Sequence, residues 1–514
     1  MRFVRSALVV VMCSALMGGC TGSHRSDEGG SVSPSAPGAS SRDGGDRSAE
    51  ALVKDGAILK ATVHPIERAG DHVVLTVDYS FSKDSQRTTN LNMQILLGTG
   101  RDGINGVSTV RLLDFSGGRV WEAGRVGSAR SATTQDPTLD RLALDRQDQT
   151  VTVVTFFAPV DADTVDVLIP KVGLVSDVAV VEGGSGTPGL ASLGVGDGPV
   201  TYDPPVGLES LVRAYQGDAS ATKQGDEQTV VMASDVLFAS DSADLSEEAG
   251  ARVDEVAAQI AQVASGGEVR VVGHTDDVAS AEYNMDLSVR RATSVADRMA
   301  PVLGSSFTVV KEGKGKTEPA VVGTDAQARA ANRRVEIEFT AQKAVTLPKS
   351  SADVPDATGP VGNGHDPVTY TLPGGYAYKV EVPSVVRRDG YLVGTFVVSS
   401  VSGVAPDEDF LSDNSVYSPS CSGQSEYRPM HGANCVTLMG PQGQVFPIRY
   451  QRPGNDAAIL ADTYLPYFLS DMLKEPNNGD SFTYTVVWSD TGQDSVTVDS
   501  SNRFRIIDIP VEEG

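Results

Sequence analysis

Residues 246–276 read SEEAGARVDEVAAQIAQVASGGEVRVVGHTD, and this stretch decides the fold of the middle of the chain. Ser246 precedes two glutamates, a combination typical of a helix N-terminus, where a serine caps backbone amides and acidic groups favour the helix dipole. Val269–Val272 predicts a strand after this helix. Within the helix, apolar residues recur three and four positions apart and predict one buried face: Val253, Val256, Ala257, Ile260, Val263 and Ala264.

The same alternation continues downstream. A second helix is predicted from Leu287 to about Val302, and strands are predicted at Phe307–Val310 and Val335–Phe339. Alternating strands and helices indicate an α/β domain, which we place at 228–342. The buried side of the second helix is assigned to Leu287, Ala292, Val295, Ala296 and Met299, so Arg291 is expected on its exposed side.

The segments on either side, 51–203 and 366–514, instead show period-two alternation separated by turn residues. This pattern is typical of short strands in an all-β sandwich. The expected architecture is therefore multidomain, with a central α/β domain flanked by two all-β sandwich-like domains. The clearest strand patterns are 73–77, 91–96, 109–113 and 151–156 in the first segment, and 377–382, 392–398 and 482–488 in the second.

The two β segments also resemble each other. Residues 110–121 align with 436–446 with a one-residue gap, and each stretch is followed by a strand that ends in aromatic residues, Phe156-Phe157 in one and Trp488 in the other. A duplicated module explains the match, and chance similarity between turn-rich hairpins is the alternative.

The N-terminus has the features of an export signal. Arg2 and Arg5 precede an uncharged apolar run from Ala7 to Met17 that is too short to span a bilayer. The following Leu16-Met17-Gly18-Gly19-Cys20 resembles the lipobox of bacterial lipoproteins, in which the cysteine is lipidated, with palmitate as an expected acyl chain. We therefore expect 1–20 to be a lipoprotein signal peptide. A simple signal peptide is the alternative.

Two segments are predicted to be flexible linkers. Residues 21–50 and 343–365 are rich in Gly, Ser, Asp and Pro and have too few large apolar residues to form a core.

Cys421 and Cys435 lie 14 positions apart, and an exported protein can keep such a pair oxidised, so a disulfide is expected. A metal site that includes His431 is the less favoured alternative, because a fourth ligand is missing nearby.

Composition excludes several functions. Lys and Arg number 42 against 67 Asp and Glu, which gives a net charge of −25 and disfavours nucleic acid as a partner. Six histidines offer little material for a metal centre, and no cofactor motif is complete.

Gly315-Lys316-Thr317 lacks the earlier glycine of a phosphate-binding loop, since position 310 is valine. His274 near Asp276 has no accompanying nucleophile motif and is interpreted as a structural residue.

Five ordered motifs of the α/β segment resemble the OmpA-like peptidoglycan-binding domain, and the resemblance covers about 110 residues. They are Val236–Leu245, Gly273-His274-Thr275-Asp276, Tyr283–Ala292, Gly313–Pro319 and Arg329–Val335. By this resemblance Asp276 and Arg291 match the ligand residues, and Asp241 and Arg333 match the supporting contacts. Ala239 and Ala279 depart from the family pattern, which usually has Asp and Gly there. The second departure requires a Cβ to fit a tight loop.

The ligand chemistry agrees with this resemblance. The diamino acid of a peptidoglycan stem peptide carries an ammonium and a carboxylate on one carbon, so its receptor needs an acid and a planar guanidinium close together.

We expect a non-enzymatic, lipid-anchored protein of the cell envelope that binds peptidoglycan and tethers the membrane, either the cell membrane or the outer membrane, to the wall. The alternative is a wall-localised interaction protein or an accessory of a cell-wall enzyme, which acts through its β domains on an envelope protein partner.

Overall fold

A computed structural model describes residues 44–92, 110–126, 130–133, 143–189, 199–347, 353–372, 374–403, 436–450, 467–468, 481–500 and 503–514. The predicted signal peptide with Cys20, most of the first linker, and the pair Cys421 and Cys435 lie outside these residues. Within the described part, no helix combines the length and the apolar character needed to cross a lipid bilayer.

The first β-rich segment forms strands wherever apolar and polar residues alternate within the described part. Its alternating patterns at 73–77, 109–113 and 151–156 fall in or overlap β4, β6 and β11, as predicted. The strands are β1 (Arg47–Leu52), β2 (Ile58–Val63), β3 (Ile66–Arg68), β4 (Val73–Phe81), β5 (Leu91–Asn92), β6 (Arg111–Asp114), β7 (Arg119–Glu122), β8 (Arg125–Val126), β9 (Arg130–Ser131), β10 (Ala143–Leu144), β11 (Val151–Phe157), β12 (Thr164–Ile169), β13 (Gly173–Glu182), β14 (Val200–Thr201) and β15 (Val206–Gly207), with a 3₁₀ turn at Lys54–Gly56.

The α/β segment has the predicted helices and strands. Ser246 accepts a hydrogen bond from the amide of Ala249 and caps the first long helix as expected. The elements are β16 (Glu209–Arg213), β17 (Ala219–Gln224), β18 (Glu227–Ala233), α1 (Ser234–Leu237), α2 (Glu247–Val263), β19 (Gly267–His274), α3 (Ala281–Leu303), β20 (Phe307–Gly315), α4 (Ala326–Asn332) and β21 (Arg334–Thr340).

The sheet of this segment has the order β16-β17-β18-β21-β19-β20. All neighbours are antiparallel except β19 and β20, which are parallel and are joined through α3. Buried apolar residues of α2, α3 and the sheet form one core that includes Val253, Ile260, Val295, Met299 and Ile337. This packing fixes the C-terminal end of β19 beside the N-terminal half of α3.

The second β-rich segment also contains strands where the alternation predicts them. Its patterns at 377–382, 392–398 and 482–488 lie in β24, β25 and β30. The strands are β22 (Val361–Asn363), β23 (Val368–Leu372), β24 (Tyr376–Arg388), β25 (Tyr391–Ser402), β26 (Val436–Gly440), β27 (Gly443–Val445), β28 (Arg449–Tyr450), β29 (Tyr467–Phe468), β30 (Ser481–Ser489), β31 (Ser495–Ser500) and β32 (Phe504–Glu513).

Strand pairing in the two β-rich segments supports the duplication hypothesis. β4 lies between β2 and β11, as β25 lies between β24 and β30. The hairpin β6–β7 pairs with β12 as the hairpin β26–β27 pairs with β31. β13 runs parallel to β3, as β32 runs parallel to the end of β24.

An irregularity is shared as well. The pairings β12–β13 and β31–β32 both shift register, and beside each shift an aspartate, Asp177 or Asp508, has φ of +55°. A bulge with the same left-handed aspartate is harder to obtain by chance than a hairpin.

The two β-rich segments pack against each other. Their buried apolar residues form one continuous cluster, with Trp121 and Trp488 among the largest fully buried side chains. Arg388 binds the buried carboxylate of Asp166 through two hydrogen bonds of 3.0 Å.

The α/β segment is joined to the second β-rich segment through β16, which pairs with β27 and β28. Arg449 forms an ion pair with Glu209 at this junction, and the Tyr215 hydroxyl donates to the carbonyl of Gly440 over 2.6 Å. The hairpin at 209–224 lies before the predicted start of the domain at 228, yet it continues the same sheet.

One histidine of the first β-rich segment is held by two carboxylates. His64 Nδ1 lies 2.8 Å from Asp46 and Nε2 lies 3.0 Å from Asp78. Burial lowers the pKa of His64, but the hydrogen bonds and charges of the two aspartates outweigh burial and raise it above its ordinary value. The protonated histidine therefore stabilises the attachment of the start of β1.

Candidate functional site

The predicted site residues come from four places in the α/β segment. Asp276 follows the end of β19, Arg291 lies in α3, and Arg333 is the C-cap of α4. Asp241 lies in the loop 239–244, whose ends are held together by a β-bridge between Phe238 and Leu245. The fold brings these sequence-distant residues to one end of the strands β18, β19 and β21.

Arg333 joins two carboxylates. Its Nη1 donates to Asp276 Oδ2 over 2.9 Å, and its Nε and Nη2 form a bidentate pair with Asp235 at 2.8 and 2.6 Å. These hydrogen bonds raise the pKa of Arg333 and lower that of Asp235. Asp276 also accepts the amide of Val278 at 3.2 Å, so the orientation of its carboxylate is fixed on both oxygens.

The expected exposure of Arg291 is wrong, because this residue is only 4% exposed. Its Nε donates to the main-chain carbonyl of Ser242 over 2.9 Å, and its guanidinium carbon lies 5.1 Å from the centre of the Phe238 ring. The helical spacing explains the correction, since Arg291 is four positions after Leu287 and four before Val295, both buried.

Burial has an electrostatic consequence for this guanidinium. Desolvation lowers the pKa of Arg291, the charges of Asp235 and Asp241 oppose that effect, and Arg333 adds to it. Among the described residues, Nε is the only nitrogen of this guanidinium that has a hydrogen-bond partner. The two terminal nitrogens are therefore available as a fork for an anionic group.

The structure brings the four predicted residues together as two pairs rather than as one cluster of direct ion pairs. Asp276 is bonded directly to Arg333, and Asp241 interacts with Arg291 through charge. Within the described part of the chain, Asp276 and Arg291 form no direct ion pair. The acid and the guanidinium fork are thus not neutralised by each other.

The loop 275–280 is held from three sides. Asn284 donates to the carbonyls of Asp276 and Ala279 at 3.1 and 3.3 Å, and Lys316 donates to Ala279 at 3.0 Å. Arg329 pairs with Asp277 at 2.8 Å. Ala279 is not among the residues with positive φ, so this position does not require the left-handed backbone conformation that favours glycine.

Close contact between α3 and two strands fixes the position of Arg291. A Cβ on Gly273 would lie 2.2 Å from the carbonyl oxygen of Ser288, and one on Gly313 would lie 2.4 Å from its hydroxyl. That hydroxyl also accepts the amide of Gly315 at 3.0 Å. The two glycines at these positions let the helix approach the sheet.

His274 is buried and faces Glu336 rather than Asp276, with 3.5 Å between Nε2 and Oε2. Burial raises the pKa of Glu336, but interactions with His274 and Arg334 outweigh it and bring it to about 2. This arrangement agrees with a structural histidine. Within the described residues, no group of three or more His, Cys, Asp or Glu is placed to hold a metal ion.

Sequence reasoning missed three residues of this site: Asp235, Asn284 and the ring of Phe238. Asn284 and Phe238 lie inside the motifs that carried the resemblance, whereas Asp235 lies one residue before them. The bidentate pairing of Asp235 with Arg333 joins positions 98 residues apart, and no local pattern reveals it.

Comparison with known proteins identifies this segment. The model of the OmpA family matches residues 237–333. The peptidoglycan-associated lipoprotein of Legionella pneumophila is 34% identical over 178 residues, which cover 34% of this chain and 96% of that protein. The chain belongs to the OmpA family.

Two further comparisons each cover less than a quarter of the chain. Outer membrane protein A of Bordetella avium is 37% identical over 114 residues, which cover 22% of this chain and 58% of that protein. The structure of the cell wall anchor of the T6SS from Pseudomonas aeruginosa aligns with 32% identity over 24% of this chain and 90% of that chain, with a TM-score of 0.22.

Proposed function

We propose that the chain is a non-enzymatic cell-envelope protein that binds peptidoglycan non-covalently through the diamino acid of its stem peptide. The observation that carries this proposal is the buried guanidinium of Arg291, which is held by Ser242 and Phe238 while its terminal nitrogens have no partner in the described residues. A desolvated cation oriented in this way is suited to an anionic ligand.

The ligand is held at two charges. The carboxylate of the diamino acid binds the terminal nitrogens of Arg291, and the neighbouring ammonium binds Asp276, with Asp241 adding negative charge nearby. Asp276 accepts one hydrogen bond from Arg333 and one from Val278, and a carboxylate has about four acceptor positions, so capacity for an ammonium is left. Arg333 and Asp235 act as support by fixing the orientation of Asp276.

The remaining parts of the chain are proposed to place this domain between membrane and wall. Cys20, lipidated and left as the mature N-terminus after removal of the residues before it, is the proposed anchor. The proposed tether is the predicted linker up to the start of β1 at Arg47. The domain is proposed at 228–342 between two β domains at 51–203 and 366–514, with a disulfide between Cys421 and Cys435. The linker predicted at 343–365 is too long, because Val345 and Leu347 pack into the α/β core and Val361–Asn363 forms β22. Membership of the OmpA family, and a relative named peptidoglycan-associated lipoprotein, support placement in the cell envelope.

Sedimentation of the full chain with purified sacculi tests the proposal. Two stem tetrapeptides serve as competitors and differ only in the third residue, which is meso-diaminopimelate in one and lysine in the other. The lysine peptide has the side-chain ammonium but lacks the second carboxylate, so it cannot use the guanidinium fork of Arg291. We expect the diaminopimelate peptide to release the protein at a concentration at least tenfold lower.

Equal competition by both peptides would contradict recognition of the paired charges. Failure of the chain to sediment with sacculi would contradict peptidoglycan binding altogether. A sacculus preparation digested to soluble fragments before sedimentation controls for aggregation of the protein.

A further inference from the structure

A cavity lies beside the diamino-acid site and shares Asp241 of the loop 239–244 with it. It has a volume of about 470 Å³ and is formed between this loop and the outer face of α3. Its lining includes Ser240, Asp241, Asp244, Arg290, Thr293 and Ser294. A volume of this size lies within the range of small-molecule sites.

The lining is polar and carries excess negative charge. Four of the lining residues carry a hydroxyl group, including Ser242, and two carry a carboxylate. Its single cation, Arg290, is already paired with Asp286 at 2.8 Å. Such a surface disfavours phosphate or a free carboxylate and suits an uncharged ligand with many hydrogen-bonding groups.

The loop 239–244, which contributes to both sites, is ordered by its own hydrogen bonds. The amide of Asp244 donates to Ser242 Oγ at 2.9 Å, and the amide of Ser242 donates to the carbonyl of Ala239 at 3.1 Å. Ser242 belongs to both sites, because its carbonyl accepts Arg291 while the residue lines the cavity. The cavity therefore begins next to the guanidinium that is proposed to hold the ligand carboxylate.

Peptidoglycan has an uncharged group that can donate and accept hydrogen bonds a short distance from the diamino acid. Two residues of stem peptide separate the diamino acid from the N-acetylated amino sugar of the glycan. An extended chain covers at most roughly 3.3–3.6 Å per residue, so these two residues span at most about 7 Å. We propose that the cavity binds this amino sugar, so that the domain recognises the junction of peptide and glycan. This inference rests on the proposed binding of the diamino acid.

Calorimetric titration with two ligands tests it: a diaminopimelate stem tetrapeptide, and the same tetrapeptide attached to its disaccharide. The wild-type chain is expected to bind the disaccharide form about tenfold more tightly. In the double variant Thr293→Val, Ser294→Ala, which removes two hydroxyls from the cavity, this preference is expected to fall to about twofold or less. Binding of the sugar-free tetrapeptide is expected to stay unchanged.

Thr308→Val is the matched control, because Thr308 is an exposed threonine of β20 outside the cavity lining. Ser240→Arg serves as a second variant that fills the cavity from an exposed position and places no demand on α3 packing. Circular dichroism checks that each variant is folded.

The outcomes separate the two claims. Equal wild-type affinity for both ligands, or an undiminished preference in folded cavity variants, would overturn the sugar site and leave diamino-acid binding standing. Absence of wild-type binding to the sugar-free tetrapeptide, with retained binding to the disaccharide form, would contradict the proposed diamino-acid site instead. Absence of binding to both ligands would overturn both claims.

Discussion

Replacement of Arg291 by alanine is expected to weaken folding as well as binding, because this side chain is part of the packed interior. The substitution removes the hydrogen bond from Nε to the Ser242 carbonyl and the contact with the Phe238 ring. A hydrogen bond from a charged donor contributes about 1.5–3 kcal/mol. A cation–π contact contributes about 0.5–2 kcal/mol.

These gains are partly offset by the cost of burying the guanidinium, the same effect that lowers the pKa of Arg291. The net loss of unfolding free energy for Arg291→Ala is therefore expected to be about 1–3 kcal/mol. The neighbouring Arg290 offers a matched control. It is exposed and paired with Asp286 one helical turn away, so Arg290→Ala is expected to cost only about 0.3–0.5 kcal/mol.

Urea denaturation of the full chain, followed by circular dichroism at the helix band, provides the assay. The two long helices described in the chain both lie in the α/β segment, so this signal reports on the part that contains Arg291. A midpoint for Arg291→Ala no lower than that for Arg290→Ala would refute the structural role of the buried guanidinium.

Three further predictions concern the packing and pH dependence of stability. Gly273→Ala forces a Cβ onto the Ser288 backbone and should lower the unfolding free energy by about 1–3 kcal/mol. The control Gly250→Ala should be neutral or stabilising, because its Cβ first meets the flexible end of an arginine at 3.4 Å. Equal shifts in melting temperature for the two variants would contradict the contact. His64 has a raised pKa, so its contribution to the stability of the folded protein is complete below about pH 6.5 and is lost as pH rises through the folded pKa. The difference in melting temperature between wild type and His64→Gln should therefore shrink along that range. A constant difference would contradict the stabilising role of the protonated histidine. Glu336 has a pKa near 2, so Glu336→Gln should lower the unfolding free energy by about 3 kcal/mol above pH 4.5. The difference from wild type should disappear as pH falls from 4.5 towards 2. A pH-independent difference in urea titrations would contradict stabilisation by the ionised carboxylate.

Local patterns predicted the two long helices and three strands of the α/β segment, although the second of these helices begins at Ala281 rather than at Leu287. The helix that begins after Ser246, the helix that contains Leu287, and the strand at 269–272 all formed, because their apolar spacing agrees with the faces that the core buries. The shared bulge at Asp177 and Asp508 extends a similarity between the β-rich segments that the sequence suggested only through one hairpin.

Arg291 shows where residue type misled the prediction. An arginine on a helix is usually exposed, and the list of apolar positions therefore omitted it although its spacing placed it on the buried face. Its burial depends on the carbonyl of Ser242, 49 residues earlier in the chain, and on a ring contact with Phe238. Neither partner is visible in a helical repeat.

Long-range pairing was also beyond the local pattern. β16 joins the α/β sheet to β27 and β28, more than 200 residues away, and the ion pair between Arg449 and Glu209 closes this junction. Alternation predicts that a segment is a strand, but the partner of an edge strand depends on the tertiary arrangement.

The central claim, recognition of a diamino acid by paired charges, is tested most directly at two adjacent aspartates. Asp276→Asn keeps the size of the side chain but removes the charge that is proposed to bind the ammonium. Asp277→Asn is the matched control, since Asp277 pairs with Arg329 and is assigned no ligand contact. The measurement is the affinity of each full-length variant for the diaminopimelate stem tetrapeptide by calorimetric titration, with folding checked by circular dichroism.

Loss of one partner of a desolvated charge pair costs about 2–5 kcal/mol, so Asp276→Asn should bind roughly 30-fold or more weakly. Asp277→Asn should remain within about twofold of wild type, because exposed ion pairs contribute little. A folded Asp276→Asn variant that binds the peptide as tightly as Asp277→Asn would contradict the account.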